Sequence, residues 1–231
     1  MQKEHAIDIK ELRIKLDQIN EQIIIGLKNR SRYPLNSNTF TEEFAEMKSW
    51  FEYRLKKDQD VDAEFGRFLY NDQSPLGYTK EELAKPLIKT PAKSTGIKQV
   101  RVEVLGDIVS NYREILAALC KHKEDRGTYG ATTKLDVENI LLYNERIVGL
   151  GEQVAGYKMR KNPKLAKITS REELRKRLVI PKREEEVVNS AVTTAKKYGI
   201  TQSGAIKKFI KRMINITTKV EMRRIIASKK K

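Results

Sequence analysis

The stretch 129–158, YGATTKLDVENILLYNERIVGLGEQVAGYK, decides how the rest of this chain is organised. Its apolar residues recur close to helical spacing and predict a long helix with one buried face. The same segment carries two cations, Arg146 and Lys158. A buried helix that carries cations suggests an anionic ligand, although solvent or carboxylates on neighbouring helices would satisfy the same charges. The apolar positions are Leu135, Ile140, Leu141, Ile147, Leu150 and Val154.

Length and composition restrict the class of protein. With 231 residues, 39% apolar and 34% charged, the chain suits one domain of long helices with solvated faces. It has no run of about 18 apolar residues, and its start, MQKEHAIDIK, lacks the apolar core of a signal peptide. We therefore expect a cytoplasmic protein with no membrane contact. A single cysteine, Cys120, excludes an internal disulfide, and two histidines make a metal site unconvincing.

The net charge of +16 has more than one interpretation. A basic surface can bind nucleic acid by neutralising phosphates. It can equally raise the local concentration of a small anionic substrate. Because much of the excess is dispersed along the chain, an ordinary solvated surface is favoured and nucleic acid is an unlikely partner.

Further helices are expected on both sides of the central stretch. Asp8 is placed to cap the first, and Thr41 to Leu69 shows an aromatic-rich face that we interpret as core. Residues 70–96 are rich in proline and glycine, with one short capping signature at Thr79-x-x-Glu82, and predict a long connecting loop. The first expected helix has its apolar positions at 9–23 and is ended by Pro34, a few residues after Arg30. The other expected helices are 41–69, 100–122, a short one opened by Ser170, 182–198 and 203–226.

The central stretch resembles the middle helix of the all-helical chorismate mutases, in the larger form found in fungi and plants. A second match is the pair Thr217 and Glu221, four residues apart in the last predicted helix. The resemblance extends from Ile9 to Ile226 and implies an all-α, single-domain bundle that forms homodimers. Residues 8–70 would form a regulatory-like half, 71–97 a connecting loop and 98–228 the catalytic helices. The matching residues of the central stretch are Tyr129, Gly130, Asp136, Arg146, Ile147, Val154, Ala155 and Lys158.

Three departures from the family pattern concern the central stretch and the substrate site. Ala131 stands where the family has serine, and Ile180 stands where it has Asn or Asp. Lys158 follows Arg146 by twelve residues, where the family spacing is eleven. One extra residue turns a helical side chain by about 100°. Either a bulge in the glycine-containing segment 149–151 absorbs this residue and returns Lys158 to the site, or Lys158 is displaced from the site.

The resemblance implies conversion of chorismate to prephenate, a cofactor-free rearrangement in phenylalanine and tyrosine biosynthesis. Arg13 and Arg146 would bind the two carboxylates, and Lys158 would donate to the ether oxygen. Glu184 would accept from the ring hydroxyl, and Thr217 would add a carboxylate contact. The complete implied substrate site comprises Arg13, Arg146, Lys158, Arg183, Glu184, Thr217 and Glu221.

Glu221 is the implied residue whose protonation matters most. A carboxyl group facing the ether oxygen donates a hydrogen bond only when protonated, because an ionised carboxylate repels developing negative charge. Burial raises such a pKa and neighbouring cations lower it. The sequence alone leaves the sign of the shift open, and we expect activity to fall as pH rises toward neutrality.

The resemblance also implies a site for an effector. Of the family's effector site, Arg67 and Gly130 are retained, while Ala131 replaces a serine and Gly66 replaces a second arginine. We therefore expect aromatic amino acids to bind weakly or not at all. Two alternatives to an efficient enzyme stay open: a catalytically weak family member that acts by binding, and a basic helical nucleic-acid-binding protein.

Overall fold

The computed structural model describes residues 8–69, 73–88 and 102–228, and it contains eight α-helices within them. No strand occurs in these three ranges, so the predicted all-α class is confirmed. No helix in them is long and apolar enough to cross a bilayer. The helices are α1 Ile9–Arg30, α2 Trp50–Glu64, α3 Leu105–Leu119, α4 Tyr129–Asn144, α5 Leu150–Lys161, α6 Arg171–Leu178, α7 Pro181–Lys197 and α8 Ser203–Ser228.

Helix α1 begins where the sequence predicts and ends at Arg30, shortly before Pro34 as the sequence also predicts. The side chain of Asp8 accepts a hydrogen bond from the backbone N–H of Lys10 at 2.9 Å, as a helix cap does. Gly26 does not end the helix, because its missing side chain is what lets α1 approach α4. A Cβ atom at Gly26 would lie 1.7 Å from Oδ1 of Asn139. The helix therefore continues to Arg30.

The central stretch is two α-helices joined by one π-helical turn, Glu145–Gly149. The backbone N–H of Leu150 donates to the carbonyl of Glu145, five residues earlier, so this turn holds one residue more than an α-turn. The predicted bulge is confirmed, although it begins before the segment 149–151 and shares only Gly149 with it. Gly151 serves packing instead: a Cβ there would lie 3.2 Å from Cγ2 of Thr217 on α8.

A buried ion pair ties the central helix to its neighbours. Nε of Arg30 lies 2.7 Å from Oδ1 of Asp136, and both side chains are fully buried. Arg30 also donates to the carbonyls of Pro34 and Leu35, each at 2.7 Å. Tyr112 of α3 donates to the same Asp136 oxygen at 2.8 Å. Burial raises the pKa of Asp136 to about 6, against the opposing effect of Arg30.

The second predicted helix is shorter than the range 41–69. Ala45 and Glu46 adopt positive φ angles of 47° and 65°, which a helix does not allow. Helix α2 begins only after Ser49, whose hydroxyl oxygen accepts from the N–H of Glu52 at 3.0 Å. The predicted buried aromatic face is partly wrong, because the Phe65 side chain is 71% exposed.

The connecting loop is described between residues 73 and 88, where it is held against α2. The amide of Gln59 both accepts from the N–H of Leu76 at 2.7 Å and donates to its carbonyl at 3.0 Å. The predicted capping box of Thr79 and Glu82 is present. Residues 70–72, 89–96 and the first two of the predicted helix 100–122 lie outside the described residues.

The last three helices agree with the sequence. Ser170 caps α6 by accepting from the N–H of Glu173, and Pro181 occupies the first turn of α7. Helices α5, α7 and α8 pack together with α1, and the larger hydrophobic cluster joins them to α3 and α4. This packing places the C-terminal part of the central stretch beside both the first and the last helix.

The buried pair gives a stability prediction. Replacing Asp136 with Asn leaves the Arg30 cation buried without a counter-ion, so the free energy of unfolding should fall by about 3–5 kcal/mol. Urea denaturation followed by circular dichroism measures it. The matched control is Glu11→Gln, which breaks an exposed pair with Lys15 at 2.7 Å and should change stability by less than about 0.5 kcal/mol. Equal, small changes in both variants would contradict the structural role of the buried pair.

Candidate functional site

A cleft of about 210 Å³ lies where α1, the π turn, α5, α7 and α8 meet. Residues from every one of these segments line it, although they are far apart in the sequence. All seven residues of the implied substrate site are among them: Arg13, Arg146, Lys158, Arg183, Glu184, Thr217 and Glu221.

Arg146 is the deepest cation of the cleft. It belongs to the π turn, is only 6% exposed, and its Nε donates to Oδ1 of Asn20 on α1 at 3.0 Å. Within the described ranges, no carboxylate lies at ion-pair distance from it. Burial lowers the pKa of Arg146 to about 10, with Glu221 opposing the shift, so the group stays charged at neutral pH. A buried cation whose close partner is a neutral amide favours binding of an anion.

Lys158 and Glu221 form an ion pair in the same cleft. Nζ of Lys158 lies 2.7 Å from Oε2 of Glu221 and donates to the carbonyl of Leu178 at 2.9 Å. The alternative expectation, pairing with a neighbouring carboxylate, is therefore right for Lys158, whereas Arg146 has no such pair in the described part of the chain. Because the π turn absorbs the extra residue, Lys158 does reach the cleft.

The carboxyl group of Glu221 has a raised pKa. It is almost completely buried, and burial is the largest cause of the shift. Lys158 and Arg146 oppose the shift, and the like charge of Glu184 adds to it. The direction that the sequence left open is therefore upward, which keeps the proton on this group to a higher pH than in an exposed glutamate.

At the rim of the cleft, Arg183 forms ion pairs and Arg13 is exposed to solvent. Arg183 of α7 lies 3.7 Å from Asp17 of α1 and 3.3 Å from Glu186 of its own helix. Arg13 lies one helical turn before Asp17 and is exposed. The rim thus offers a cation, Arg13, that is reachable from solvent.

Thr217 lines the cleft, but its hydroxyl proton is already used. Its Oγ1 donates to the carbonyl of Met213 on the same helix at 3.0 Å. The implied contact with a substrate carboxylate requires the hydroxyl to rotate and break this bond, because a carboxylate only accepts hydrogen bonds.

The remaining wall of the cleft is apolar. Ile180, at the position where the family has a polar residue, is 54% exposed at the rim. One charged side and one apolar side suit a small anion with a hydrocarbon body. The apolar lining consists of Ile9, Leu16, Val154, Leu178, Ile180, Val187 and Ile214, with the ring of Tyr157.

The implied effector residues do not meet within one chain. Arg67 pairs with Asp62 at 2.7 Å and lies 3.8 Å from Glu145, at the end of the central helix. Gly130 and Ala131 stand at the other end of α4, about 20 Å away by helical rise. The length of α4 is what separates them.

Four polar lining residues were missed in the sequence, namely Asp17, Asn20, Tyr157 and Thr218. Asn20, which holds Arg146, follows Arg13 by seven residues and therefore shares its face of α1, so helical spacing could have identified it. Tyr157 precedes Lys158, and no pattern distinguished it from an ordinary surface tyrosine.

Known proteins resemble this chain in sequence and in fold. No family model matches it. The chorismate mutase of Emericella nidulans is 26% identical over 210 residues, which cover 84% of this chain and 78% of that protein. The crystal structure of the chloroplast chorismate mutase from Zea mays superposes with a TM-score of 0.83 at 20% identity, covering 100% of this chain and 99% of that one. AtCM1 with tyrosine bound in its allosteric site gives a TM-score of 0.81 at 20% identity, with 97% of each chain covered.

Proposed function

The chain belongs to the all-helical chorismate mutases of the fungal and plant type, and on that premise we propose that its cleft converts chorismate to prephenate. One observation carries the proposal. The buried Arg146 cation has no close carboxylate among the described residues, and it lines the same cleft as the buried Lys158–Glu221 pair. Chorismate is a dianion with one ether bond that breaks in the reaction. A carboxylate of chorismate would pair with Arg146, and the ether oxygen would accept a hydrogen bond from the carboxyl group of Glu221.

Arg146 is proposed to bind one substrate carboxylate with its terminal nitrogens, since Asn20 already accepts from Nε. Arg13 is placed to bind the second carboxylate from the rim. The apolar wall would pack against the ring. Together these contacts hold a flexible substrate in a chair-like geometry close to that of the reaction, which is the main task in a rearrangement without a covalent intermediate.

The ether oxygen gains negative charge as its bond to carbon breaks. Lys158 and a protonated Glu221, whose Nζ and Oε2 atoms lie 2.7 Å apart without substrate, would both donate to this oxygen in place of their contact with each other. An ionised Glu221 would repel the same oxygen, so the raised pKa of this buried carboxyl group supports the proposed role. The described part of the cleft contains no cysteine, and the reaction needs no nucleophile.

A catalytically weak relative is the second candidate, and Ile180 is the observation in its favour. An isoleucine at the rim provides no hydrogen bond where the family has Asn or Asp. The other motive for this reading, a displaced Lys158, is removed by the π turn. Tight binding of a transition-state analogue together with turnover close to the uncatalysed rate would support this second candidate.

The assembly is proposed from the family likeness, and the regulation from departures from the family pattern together with the contacts of Arg67. We propose a homodimer, which size-exclusion chromatography with light scattering would test. For regulation, the departures at Gly66 and Ala131 and the engagement of Arg67 by Asp62 all weaken an effector site. We therefore propose that this chain does not respond to aromatic amino acids.

The turnover prediction concerns Arg146. Disappearance of chorismate, followed by absorbance, should be rapid with the wild type and at least about 100-fold slower with Arg146→Ala, because the variant lacks the buried charge that binds a carboxylate. The control is Arg212→Ala, which removes a half-exposed arginine paired with Glu114 outside the cleft and should keep turnover. A wild type without turnover between pH 5 and 8 would contradict the proposed function.

The pH prediction concerns Glu221. Activity should be highest at acid pH and fall as pH rises through the raised pKa of Glu221, because the donor proton is then lost. Glu221→Gln keeps a donor at every pH, so its profile should be flat over the same range. A wild-type profile that is itself flat from acid to neutral pH would eliminate the protonated Glu221.

The effector prediction uses the ligand seen in the related structure. Addition of tyrosine or tryptophan at about 1 mM should change neither the rate nor its dependence on chorismate concentration. A clear change in wild-type kinetics with either amino acid would show that the effector site survives its substitutions.

A further inference from the structure

The net charge of the chain is confined to its C-terminal third. Residues 1–150 contain 24 Lys and Arg against 24 Asp and Glu, and residues 151–231 contain 23 against 7. The whole excess of +16 therefore belongs to the part that carries α5, α6, α7 and α8. These helices form one side of the cleft. The excess positive charge is therefore concentrated on that side, whereas from the sequence we expected it to be dispersed.

The cations are densest beside the cleft. Residues 160–183 contain ten Lys and Arg against two Glu. We define the basic shoulder as five exposed cations at the end of α5, in the turn Pro163–Lys167 and on α6. None of the five makes an ion pair with another residue of the described ranges. They are Lys161, Lys164, Lys167, Arg171 and Arg177.

The basic shoulder adjoins the catalytic cation. Lys161 follows Lys158 by less than one turn of α5, and Arg177 precedes Leu178, whose carbonyl accepts from Nζ of Lys158 at 2.9 Å. Arg171, at the other end of α6, is about 10 Å from Leu178 by helical rise. Lys161 and Arg177 therefore lie close to Lys158 along the chain, and Arg171 lies about 10 Å further along α6, a range over which a dianion is attracted through dilute buffer.

We propose that the basic shoulder concentrates the dianionic substrate at the cleft and so lowers KM. This inference rests on the proposed function, because it requires a small dianion as substrate. The shoulder side chains are outside the cleft lining and do not touch the reacting atoms. They therefore act on binding and leave kcat unchanged. Their effect must weaken with added salt, since the screening length falls from about 30 Å at 0.01 M to about 8 Å at 0.15 M.

The test compares two triple variants with the same net charge. The shoulder variant is Lys161→Gln, Lys164→Gln and Arg177→Gln. The control variant is Lys48→Gln, Lys121→Gln and Lys123→Gln, three exposed lysines near the opposite end of the central helix. At about 10 mM ionic strength the shoulder variant should raise KM about five-fold with kcat unchanged, and the increase should largely disappear at about 300 mM. The control variant should change KM less than two-fold, on the order of assay error.

Each other outcome overturns the inference. An unchanged KM in the shoulder variant, with normal kcat, would remove the concentrating role and leave the proposed function intact. Equal increases in both triple variants would assign the effect to total charge instead of the shoulder. Salt-sensitive binding of duplex DNA that only the shoulder variant loses, with unchanged KM, would assign the surface to nucleic acid. A wild type without turnover would overturn both the proposed function and this inference.

Discussion

Arg146 is a guanidinium held in the protein interior with a neutral amide, Asn20, as its close partner. Burying a charge without a counter-ion opposes folding, so such a group persists where something else compensates. Glu221 and Asp17 favour the charged form from a distance, and under the proposed function a substrate carboxylate supplies the close partner. The charged side of the cleft, the acid at Glu221 and the basic surroundings are all arranged around this unbalanced charge.

Two features of the backbone make that arrangement possible. Arg146 lies within the π turn, which contains one residue more than an α-turn. Arg146 and Lys158 therefore line the same cleft, although they are twelve residues apart and the family spacing is eleven. The Arg30–Asp136 pair and the close approach at Gly26 hold α1 against α4. Since α1 carries both Arg13 and Asn20, this packing also determines what contacts Arg146.

Much of the fold and of the lining of the candidate site could be predicted from the sequence. Helical periodicity and caps identified the helices, because burial of one face and capping are local rules. The start of α2 was missed because Ala45 and Glu46, in left-handed conformations, are not the residues that usually mark such a turn. The start of the bulge was placed too late because Gly151 serves a contact with α8 that only the tertiary structure reveals.

The roles of the individual site residues were harder to predict from the sequence. Family resemblance placed all seven residues at one cleft, but roles depend on partners. That Lys158 has a carboxylate partner while Arg146 has an amide follows from how α1 and α8 pack, and spacing does not encode it. The sign of the Glu221 pKa shift likewise needed the degree of burial, since cations and burial act in opposite directions.

The most direct test of the central claim measures the free energy of unfolding of the wild type and of Arg146→Met, each with and without a dicarboxylate transition-state analogue. Without ligand, the account predicts that the methionine variant is at least as stable as the wild type, because it buries no charge. At a ligand concentration about 100 times Kd, the wild type should gain about 2.7 kcal/mol and the variant almost nothing. A variant that is less stable without ligand, and that gains as much from the ligand as the wild type, would contradict the account.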